Sequence, residues 1–586
     1  MLYSDKPWLK RYDPGVPASL APYPTYPLFQ ILRDTANERP NQVATVTSAH
    51  LPVVGRQKAE LTYRQLDEQS DALAAALEDL GVKKGDRVSL VMPNCAQFVI
   101  SFWAILKAGA IVCAINPTYP GPKMQSHLND CGASAVITLS LFYNTFKQIQ
   151  AKTDVKHVIV TNIKDYLPPL AAFLFTVAKE KKEGHAIERK PEDHDFVALI
   201  KQYAGHKPQV EVTSSDIAIF QYTGGTTGGA KAAMATHQAL VSNVLQTCHW
   251  LGNDKGENVL AGAIPFFHVY GMVAVLAAAA YLRASILLVA NPRDIKEVLE
   301  VMHTYKPTLF HGVPALFNAI NNNPDMLAGK YDLHSIRACI SGSAPLPQIT
   351  KRTFEALTGG KLVEGYGMSE TPTATHVNPL LGENREGSIG LPFPDMEMRI
   401  VSLDDGETDV PVGEIGELLM HGPQLMVGYY KLPAETSNAL RMGSDGKRWL
   451  HTGDIARMDE DGYFYIVDRK KDMALIGGFN VYPNHVENVL AEHPAVQEVG
   501  VAAVPHPDPR KVGQEALKAW VVLKPGQHAT EVELIEFVSQ YLARYEVPTR
   551  IAFIDQLPKT FVGKVLRREL VERELAERKE TAEVVQ

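Results

Sequence analysis

A glycine- and threonine-rich segment is the part of this sequence whose residue types most directly suggest chemistry. Residues 223–231 contain four glycines, three threonines and Lys231, and they follow a short apolar run at residues 217–220. Glycine lets the backbone turn with positive φ and present its N–H groups to a ligand, threonine adds hydroxyl donors, and lysine adds a point charge. This combination favours a polyphosphate.

The segment departs from the Walker A pattern. Ala232 and Ala233 follow Lys231, where that pattern has a Ser or Thr that reaches a metal ion. A different nucleotide fold is therefore implied. The alternative is a glycine-rich surface turn without a ligand, which a short Gly/Thr run by itself does not exclude.

Two clusters further along the chain suggest contacts with a base and a sugar. In residues 364–370, an aromatic ring between two glycines suits a planar base, and Glu370 suits a hard cation. A helix-capping Ser–Glu pair is the alternative. In residues 449–454, the carboxylate of Asp454 can accept two hydrogen bonds from a vicinal diol such as a ribose, although an Asx turn would give the same pattern.

Two basic clusters complete the set. Arg469 stands at the end of a predicted strand, where its planar guanidinium suits ribose or phosphate; a solvated run of charges is the alternative. Gly563 predicts a turn that projects Lys564 away from the terminal helix, and a merely exposed lysine is the alternative. Each cluster is weak alone, and their order along the chain makes the set specific.

Size and charge limit the class of protein. A chain of 586 residues is too long for one hydrophobic core, since about 150 residues per domain is usual. Its 45% apolar and 21% charged residues are ordinary for a soluble globular protein. The net charge of −8 provides no overall basic field, so nucleic acid is not an expected partner.

Cysteine usage and apolar runs bear on the compartment. The five cysteines are scattered and never in CxxC spacing, which argues against a disulfide framework and a zinc site and fits a reducing compartment. The N-terminus lacks the apolar run of a secretory signal, and no segment reaches the roughly 18 unbroken apolar residues of a membrane span. A cytoplasmic protein is predicted.

Helices and strands alternate along the first two thirds of the chain. Thr62 and Gln65 have capping-box spacing and open a predicted helix at residues 63–80. Another helix is predicted at residues 96–107, and strands at residues 88–92, 111–115, 135–139, 157–161, 285–289, 308–312 and 337–341. This alternation predicts an α/β fold with mostly parallel sheets covered by helices.

Composition also predicts the domain boundaries. Residues 1–27 carry six prolines and predict an extended arm. Residues 28–468 form the predicted large domain, with α/β layers to residue 390 and a β-rich subdomain at 391–468, where strands are expected at 397–401, 416–421 and 462–467. Residues 469–586 predict a small mobile α+β domain with helices at 484–492 and 531–542, strands at 499–503 and 519–523 and a charged terminal helix; Asp468 is the predicted hinge.

Two apolar stretches need separate interpretation. Residues 166–178 are too short to cross a bilayer and are followed by three lysines within residues 179–182, a pattern that suits the headgroup layer of a membrane. A buried core helix is the alternative there. Residues 272–282 lack a basic flank and predict core.

Together these clusters resemble the adenylate-forming superfamily of acyl-CoA synthetases, firefly luciferases and peptide-synthetase adenylation domains. The resemblance runs from about residue 28 to about residue 570 and rests on residues 222–231, 264–268, 341–345, 366–370, 452–454 and 563–564. Bacterial long-chain fatty acyl-CoA ligases share the TGGTTG form of the loop, the VDRKKDM run at residues 467–473 and the GFNVYP run at residues 478–483.

The resemblance implies an enzyme that uses ATP, Mg²⁺ and coenzyme A to convert a long-chain fatty acid to acyl-CoA through an acyl-adenylate, releasing AMP and pyrophosphate. It assigns to the nucleotide Thr223, Gly224, Gly225, Thr226, Thr227, Gly228, Lys231, Gly342, Ser343, Ala344, Glu364, Gly365, Tyr366, Gly367, Met368, Ser369, Asp454 and Arg469. It assigns to catalysis Lys564, Glu370 and Thr226, to the metal Glu370 and Thr226, to the acyl substrate His268, Gly342 and Ala344, and to coenzyme A Gly477 and Gly478.

Specific roles follow from the same resemblance. Tyr366 would stack on adenine, and Asp454 and Arg469 would hold the ribose. Lys564 would meet the substrate carboxylate and the α-phosphate. The small domain would rotate about Asp468, so that Lys564 and the Gly477–Gly478 segment serve successive half-reactions. His268 would position the substrate, with a core histidine bonded to a backbone carbonyl as the alternative.

Two departures from relatives matter. Many relatives have Ser-Gly and Pro-Lys-Gly in the loop, whereas this chain has Gly224-Gly225 and Ala230-Lys231-Ala232, so that one hydroxyl is lost. Some long-chain relatives gate the acyl tunnel with a tryptophan four places beyond the histidine, where this chain has Met272.

Several alternatives stay open at this stage. The substrate is alternatively a medium-chain or aryl acid, or the product is delivered to a carrier protein by an acyl-AMP ligase. A membrane-surface fatty-acid binding protein without activity is the non-enzyme alternative. The sequence leaves open the oligomeric state, with a homodimer among the options, and peripheral contact with the inner face of the membrane through residues 166–182.

Overall fold

The computed structural model describes residues 2–51, 55–223, 231–252, 258–476, 479–508, 511, 514–560 and 563–585. Its strands are β1 (Val43–Leu51), β2 (Gly55–Thr62), β3 (Arg87–Val91), β4 (Ile111–Ala114), β5 (Ala133–Leu139), β6 (His157–Thr161), β7 (His194–Asp195), β8 (Ile217–Thr223), β9 (Lys231–Thr236), β10 (Val259–Gly262), β11 (Ser285–Leu288), β12 (Leu309–Gly312), β13 (Ala338–Ser341), β14 (Lys361–Tyr366), β15 (His376–Val377), β16 (Leu391–Pro392), β17 (Glu397–Val401), β18 (Gly416–His421), β19 (Gly428–Tyr429), β20 (Leu440–Met442), β21 (Arg448–Met458), β22 (Phe464–Arg469), β23 (Ala474–Ile476), β24 (Phe479–Val481), β25 (Val496–Pro505), β26 (Glu515–Leu523) and β27 (Arg550–Phe553).

The α-helices are α1 (Phe29–Glu38), α2 (Tyr63–Asp79), α3 (Ala96–Lys107), α4 (Gly121–Cys131), α5 (Ser140–Gln150), α6 (Pro169–Ala178), α7 (Phe196–Gln202), α8 (His237–Trp250), α9 (Ala278–Leu282), α10 (Ile295–Tyr305), α11 (Pro314–Asn321), α12 (Pro324–Leu327), α13 (Gln348–Thr358), α14 (Pro433–Ala439), α15 (Pro483–Ala491), α16 (Glu531–Ser539) and α17 (Arg567–Val585). A π-helical segment, Gly271–Ala277, leads directly into α9.

The chain divides into two compact units. The large unit comprises Trp8–Met396 and His421–Leu440, and the C-terminal unit comprises Met1–Pro7, Glu397–Met420 and Arg441–Gln586. Contacts thus group the β-rich segment with the C-terminal elements. The predicted boundary at Asp468 concerns motion, and it stays a prediction.

The large unit has two sheets of the predicted α/β type. One has the strand order β19-β9-β8-β4-β3-β5-β6-β7, and the other has the order β16-β15-β14-β13-β12-β10-β11-β1-β2. The inner pairs β3–β4, β3–β5, β5–β6, β12–β13 and β13–β14 are parallel. Their residues form nearly continuous buried apolar runs because helices cover both faces of a parallel sheet.

Local signals in the sequence located several elements well. The capping box is present: the Thr62 side chain accepts a hydrogen bond from Gln65 N at 3.2 Å, and Thr62 N donates to Gln65 Oε1 at 2.9 Å. Helix α3 has the predicted bounds, and strand β8 continues three residues beyond the predicted run to Thr223. The apolar residues 272–282 are core, as predicted, in the π-helical segment and α9.

The N-terminal arm is anchored by a carboxylate. Residues 3–5 and 7–11 form short 3₁₀ segments that interrupt the predicted extended conformation. Asp13 then accepts hydrogen bonds from three successive backbone N–H groups, those of Leu380 (2.6 Å), Leu381 (3.0 Å) and Gly382 (2.6 Å). A proline-rich segment cannot supply its own ladder of hydrogen bonds, so it is held by side-chain contacts of this kind.

The C-terminal unit contains three smaller sheets. Strands β17, β18, β21 and β20 follow one another in a mostly antiparallel sheet that β22 joins at β21. Strands β23 and β24 pair in an antiparallel two-stranded sheet, and β25, β26 and β27 form a third sheet covered by α15 and α16. This composition agrees with the predicted β-rich and α+β segments.

Helix α6 is exposed on most of its surface. Of its residues only Ala171 is buried, whereas Phe173 and Val177 are 64% and 71% exposed. The alternative of a buried core helix is therefore wrong, because the helix rests on the protein through one narrow contact. No helix among the described residues has both the length and the apolar character needed to cross a membrane.

Candidate functional site

A cleft in the large unit gathers three of the sequence clusters, those at residues 264–268, 341–345 and 364–370. Strands β13 and β14 are parallel neighbours with Ser341 opposite Glu364, so the segments that follow their carboxyl ends meet at one edge of the sheet. The cavity volume of the cleft is about 50 Å³. Its lining residues are His268, Val269, Tyr270, Ile340, Gly342, Ser343, Gly365, Tyr366, Gly367, Met368, Thr373 and Ala374.

Backbone geometry in the cleft is tight. A Cβ on Gly367 would lie 1.5 Å from the carbonyl oxygen of Thr373, so no side chain fits at this position. Ser343 has φ +73°, a left-handed conformation that costs a non-glycine residue energy and that clusters at ligand-binding sites. The two glycines around Tyr366 therefore let the backbone on either side of this aromatic ring pack closely against neighbouring residues.

His268 has a defined protonation state. Its Nδ1 accepts a hydrogen bond from the backbone N–H of Tyr270 at 3.2 Å, so the neutral ring carries its proton on Nε2. Burial lowers the pKa of His268 to about 4. The alternative of a core histidine bonded to a backbone carbonyl does not describe it, since Nδ1 is an acceptor and the residue lines the cleft. Its role in substrate positioning stays a prediction.

Glu364 is a neutral acid at physiological pH. Burial raises the pKa of its carboxyl to about 8, although Leu346 N donates to it and the ammonium of Lys351 is near. A protonated carboxyl can donate as well as accept hydrogen bonds. Glu364 directly precedes the cleft residues Gly365 and Tyr366, and in its protonated form it adds no negative charge there.

Glu370 is held by a residue distant in sequence. It is 8% exposed, and its Oε1 accepts a hydrogen bond from Tyr429 Oη at 2.7 Å. Its backbone oxygen accepts from Met426 N at 2.8 Å. Burial and the charge of Glu370 raise the pKa of Tyr429, so the phenol remains a donor. The other carboxylate oxygen has no hydrogen-bond partner within the described residues.

The glycine-rich segment connects two antiparallel strands. Thr223 ends β8, Lys231 begins β9, and the two residues are cross-strand partners. Gly224, Gly225, Thr226, Thr227 and Gly228 lie outside the described residues. Lys231 Nζ forms an ion pair with Glu435 and lies 5.2 Å from the centre of the Tyr429 ring.

The donor set at Glu370 fits a magnesium ion bound together with phosphate. Within the described ranges no group of three or more His, Cys, Asp or Glu side chains is arranged to hold a metal. Mg²⁺ usually takes one or two carboxylates and completes its shell with phosphate oxygens and water. Glu370 fits that mode of binding, because its carboxylate is buried and only one of its two oxygens accepts a hydrogen bond from the described residues.

In the C-terminal unit, Asp454 and Arg469 form a pair. They are cross-strand partners on β21 and β22, and Arg469 Nε lies 3.1 Å from Asp454 Oδ1. Asp454 N donates to Thr452 Oγ1 at 3.0 Å, and the hydroxyl of Thr452 donates to Leu418 O at 2.7 Å. An Asx turn alone does not account for Asp454, because its carboxylate also forms an ion pair with the guanidinium of Arg469.

Glu417 stabilises the turn at residues 452–454. Its Oε1 accepts a hydrogen bond from Gly453 N at 3.2 Å, and its Oε2 pairs with Lys470 at 3.0 Å. Burial opposes its charge, but His451 and Lys470 outweigh that effect and hold the pKa of Glu417 at about 2. The carboxylate next to the backbone of this turn is therefore negatively charged at neutral pH.

Lys564 lies near the Asp454–Arg469 pair. Burial and the nearby guanidinium of Arg469 lower the pKa of Lys564 to about 8, while Asp454 and Asp472 oppose that shift. Its backbone closes a tight turn, with Lys564 N donating to Thr560 Oγ1 at 3.1 Å and Thr560 N donating to Lys564 O at 2.8 Å. Gly563 has φ +84°, as the predicted turn requires.

Of the remaining predicted residues, some lie within the described part of the chain and others lie outside it. Asp468 is fully buried at the end of β22, and its carboxylate accepts from Arg469 N at 2.7 Å and from Asn484 N at 2.9 Å. Ala344 and Ser369 adjoin cleft residues in sequence. Gly477 and Gly478, assigned to coenzyme A, lie outside the described residues.

Sequence reasoning missed the supporting residues. Tyr429, Glu435 and Glu417 each hold a predicted site residue, yet each stands in an unremarkable local sequence. Tyr429 is on β19, Glu435 on α14 and Glu417 on β18, so only the folded chain brings them to these partners. No signal in the local sequence indicates Glu417, whose cross-strand partner, Ile455, is known only from the fold.

The neutral state of Glu364 predicts a pH-dependent stability. Between about pH 4.5 and pH 8 the folded protein binds one proton more than the unfolded chain, so the free energy of unfolding falls as the pH rises, by at most about 1.4 kcal/mol per pH unit. Glu364→Gln is expected to remove this slope.

Denaturant unfolding at pH 5.5, 6.5 and 7.5 measures the effect. Glu386→Gln is the matched control, since Glu386 is half exposed and its ion pair with Arg352 lies on the surface. Equal pH slopes in the wild type and Glu364→Gln would show that the carboxyl is ionised in the folded state.

Comparisons with known proteins bear on the whole chain. A family profile described as AMP-binding enzyme matches residues 32–430, and one described as AMP-binding enzyme C-terminal domain matches residues 485–564. The long-chain-fatty-acid–CoA ligase of Bacillus subtilis (strain 168) is 40% identical over 577 residues, covering 98% of this chain and 99% of the relative. That of Escherichia coli O6:H1 is 39% identical over 570 residues, covering 96% and 98%.

Solved structures extend the similarity to the fold. ATP-bound MatB from Rhodopseudomonas palustris has a TM-score of 0.80 at 26% identity, covering 94% of this chain and 99% of that chain. The anthranilate CoA ligase AuaEII, in complex with anthranoyl-AMP, has a TM-score of 0.80 at 27% identity, covering 97% and 100%. The chain therefore belongs to the family of AMP-binding enzymes.

Proposed function

We propose that this chain is a long-chain fatty acid–CoA ligase that uses ATP to form an acyl-adenylate and then transfers the acyl group to coenzyme A. The observation that carries the proposal is the match along almost the whole length of relatives with that name, at 38–40% identity. The convergence of His268, Ser343 and Tyr366 on one cleft supports it, because the resemblance assigns these residues to acid and nucleotide.

The first half-reaction joins two anions. A carboxylate oxygen of the fatty acid attacks the α-phosphorus of ATP, and pyrophosphate leaves. In the proposal Tyr366 packs on adenine, and Asp454 accepts hydrogen bonds from the ribose beside Arg469. In the same proposal, the ammonium of Lys564 stabilises the negative charge that builds up between carboxylate and phosphate.

The second half-reaction replaces AMP with coenzyme A on the acyl group. The sulfur of coenzyme A attacks the acyl carbonyl carbon, and AMP departs with the electron pair of the broken C–O bond.

Further residues have proposed roles in the site. Glu370, with Thr226 from the resemblance, would hold Mg²⁺, which neutralises phosphate charge when bound. His268, neutral and with its proton on Nε2, can donate one hydrogen bond to an oxygen of the acyl substrate without carrying charge into the cleft.

The first experiment tests the substrate class. Pyrophosphate release is measured with acids of 6 to 18 carbons and with benzoate and anthranilate, each with and without coenzyme A. Release that is fastest with long-chain acids, with acyl-CoA as the product, supports the proposal. Fastest release with an aromatic acid, or acyl-AMP accumulating without transfer to coenzyme A, contradicts it.

The second experiment tests the role of Lys564. Lys564→Ala is expected to slow acyl-adenylate formation by at least about 10²–10³-fold, the usual effect of losing one donor that faces transition-state charge. ATP affinity should change little, because the ammonium acts on charge that develops during reaction. Single-turnover pyrophosphate release and ATP titration measure the two quantities.

Lys559→Ala is the matched control for this substitution. Lys559 lies five residues earlier on the same segment and pairs with Glu498. Its loss should leave the adenylation rate within about twofold. An adenylation rate of Lys564→Ala close to that of the wild type would remove Lys564 from the mechanism.

We also propose that helix α6 contacts a lipid surface, which would bring the enzyme to a membrane that holds its substrate. Leu170, Phe173, Leu174 and Val177 are 45%, 64%, 37% and 71% exposed, and they form one apolar surface on a helix about 15 Å long. Exposed apolar residues are common singly, but contiguous ones mark interaction surfaces.

Charge near the helix favours an anionic bilayer. Lys181 and Lys182 follow α6, are exposed, and have no ion-pair partner among the described residues, whereas Lys179 pairs with Glu183 at 3.5 Å. Each basic residue near an anionic lipid surface contributes roughly 1 kcal/mol. The other side of α6 is fixed to the protein by Ala171 and by Phe175, whose ring packs edge-on against His185.

Flotation with lipid vesicles tests this contact. The double variant Phe173→Ser with Val177→Ser is expected to lower partitioning onto vesicles of phosphatidylcholine with 30% phosphatidylglycerol by at least tenfold. Lys181→Gln with Lys182→Gln should lower it several-fold, and pure phosphatidylcholine should bind less protein.

Ile349→Ser with Val532→Ser is the control, because these two residues are 73% and 62% exposed elsewhere. Equal partitioning of the wild type and the α6 variant would show that this helix does not bind lipid. Activity on soluble short-chain substrate should not change in either variant.

A further inference from the structure

Arg567 is the centre of a cluster of charges, partly shielded from solvent, outside the residues assigned to catalysis. Its Nη1 lies 3.2 Å from Asp472 Oδ2 and 3.6 Å from Asp468 Oδ1. Its Nε and Nη2 bind the two carboxylate oxygens of Glu487 at 3.0 Å and 2.7 Å, and Nη2 also donates to Asn484 Oδ1. The side chain is only 16% exposed.

The cluster joins two parts of the C-terminal unit. The backbone of Asp468 belongs to β22 of the five-stranded sheet, where its partner is Ile455. Its carboxylate is bound by Arg567 at the start of α17 and by the backbone N–H of Asn484 in the first turn of α15. The side chain of the predicted hinge residue is therefore fixed to elements that follow the hinge.

The segment that carries Lys564 is rigidly connected to Arg567. Lys559 and Val565 form an isolated antiparallel bridge, and Leu566 N donates to Pro558 O at 2.8 Å. Arg567 follows directly. The position of Arg567 against Asp468 consequently sets where Lys564 lies relative to the turn that contains Asp454.

We propose that Arg567 and Asp468 form a clasp that holds the C-terminal elements in the orientation used for acyl-adenylate formation, making Arg567 a positioning residue for Lys564. The inference rests on the proposed function for its choice of half-reaction. In this orientation Lys564 is close to Asp454 and Arg469, the pair assigned to the ribose.

The chemistry requires such a clasp to open. In the proposed function the ammonium of Lys564 is needed while negative charge builds up at the α-phosphate, whereas the second half-reaction needs access for a sulfur nucleophile to the acyl carbonyl. A rotation about the backbone of Asp468 changes the direction of its side chain relative to α15 and α17. The ion pair with Arg567 and the hydrogen bond to Asn484 N would therefore be lost in the second orientation.

A purely structural role makes a different prediction. If Arg567 only neutralised Asp472 and Glu487, its substitution would lower stability and slow both half-reactions alike. A clasp specific to one orientation affects the two half-reactions unequally, because weakening it disfavours only the state that contains it.

The test uses the full-length enzyme with Arg567→Lys and, separately, Asp468→Asn. Lysine keeps the charge but cannot bind two carboxylates in the fork geometry of arginine. Single-turnover pyrophosphate release without coenzyme A should fall at least tenfold in both variants. Thioester formation from supplied acyl-adenylate should stay within threefold or rise. Equal loss in both half-reactions, or no loss in either, overturns the proposal.

Arg568→Lys is the matched control. Arg568 adjoins Arg567 on α17, its side chain is 59% exposed, and its Nε pairs with Glu572 at 2.7 Å. Both half-reaction rates should stay within twofold in this variant. A fall like that of Arg567→Lys would attribute the effect to the helix and not to the clasp.

A distance measurement separates failure of the clasp from failure of the proposed function. The five native cysteine thiols are buried, so spin labels at Glu460→Cys, in the turn before β22, and Val532→Cys, on α16, react selectively. Arg567→Lys and Asp468→Asn should each broaden or shift the distance distribution, and Arg568→Lys should not. Unchanged distributions in both clasp variants refute the clasp, whatever acid the wild type activates.

Discussion

Joining a carboxylate to a triphosphate brings two anions to within bonding distance, and this repulsion is the constraint on which the site depends. Positive or neutral groups must surround the reacting atoms, and negative groups must be held away from them. The described residues follow this division. His268 in the cleft and Glu364 beside it favour their neutral forms, because burial lowers the pKa of the histidine and raises that of the glutamate. The carboxylate of Asp454 is balanced by Arg469 at 3.1 Å.

The parallel sheet provides the position at which these groups meet. Strands β13 and β14 run side by side, so the Ser341 and Glu364 segments leave the sheet at the same edge. A side chain at residue 367 would collide with Thr373, which shows how closely the backbone itself lines the cleft. Core packing behind the strands is continuous, and it keeps this edge rigid. The fold thus supplies preorganisation, and the loops supply the chemistry.

Much of this arrangement was predictable from local sequence, and some was not. The capping box at Thr62, the bounds of α3 and the strand preceding the glycine-rich segment carry their signals within a few residues. Tyr429 and Glu435 reach their partners Glu370 and Lys231 from 59 and 204 residues away in sequence, so no local pattern marks them. The exposure of α6 was likewise undecidable, since an apolar helix of ten residues suits a core and a lipid surface equally.

The kinds of cation in the C-terminal unit suggest why each stands where it does. Arginine stays charged in any protein environment and binds carboxylates through a planar fork, which suits the fixed pairs of Arg469 and Arg567. Lysine is a compact charge whose pKa responds to its surroundings, and burial beside Arg469 lowers that of Lys564 to about 8. Before substrate binds, the charged form of Lys564 is therefore less stable than that of an exposed lysine. A bound phosphate stabilises the ammonium, and this stabilisation is largest where the most negative charge develops. Replacing Lys564 with arginine would lose that property, whereas replacing Arg567 with lysine would introduce it in a clasp that needs a permanently charged, fork-shaped donor.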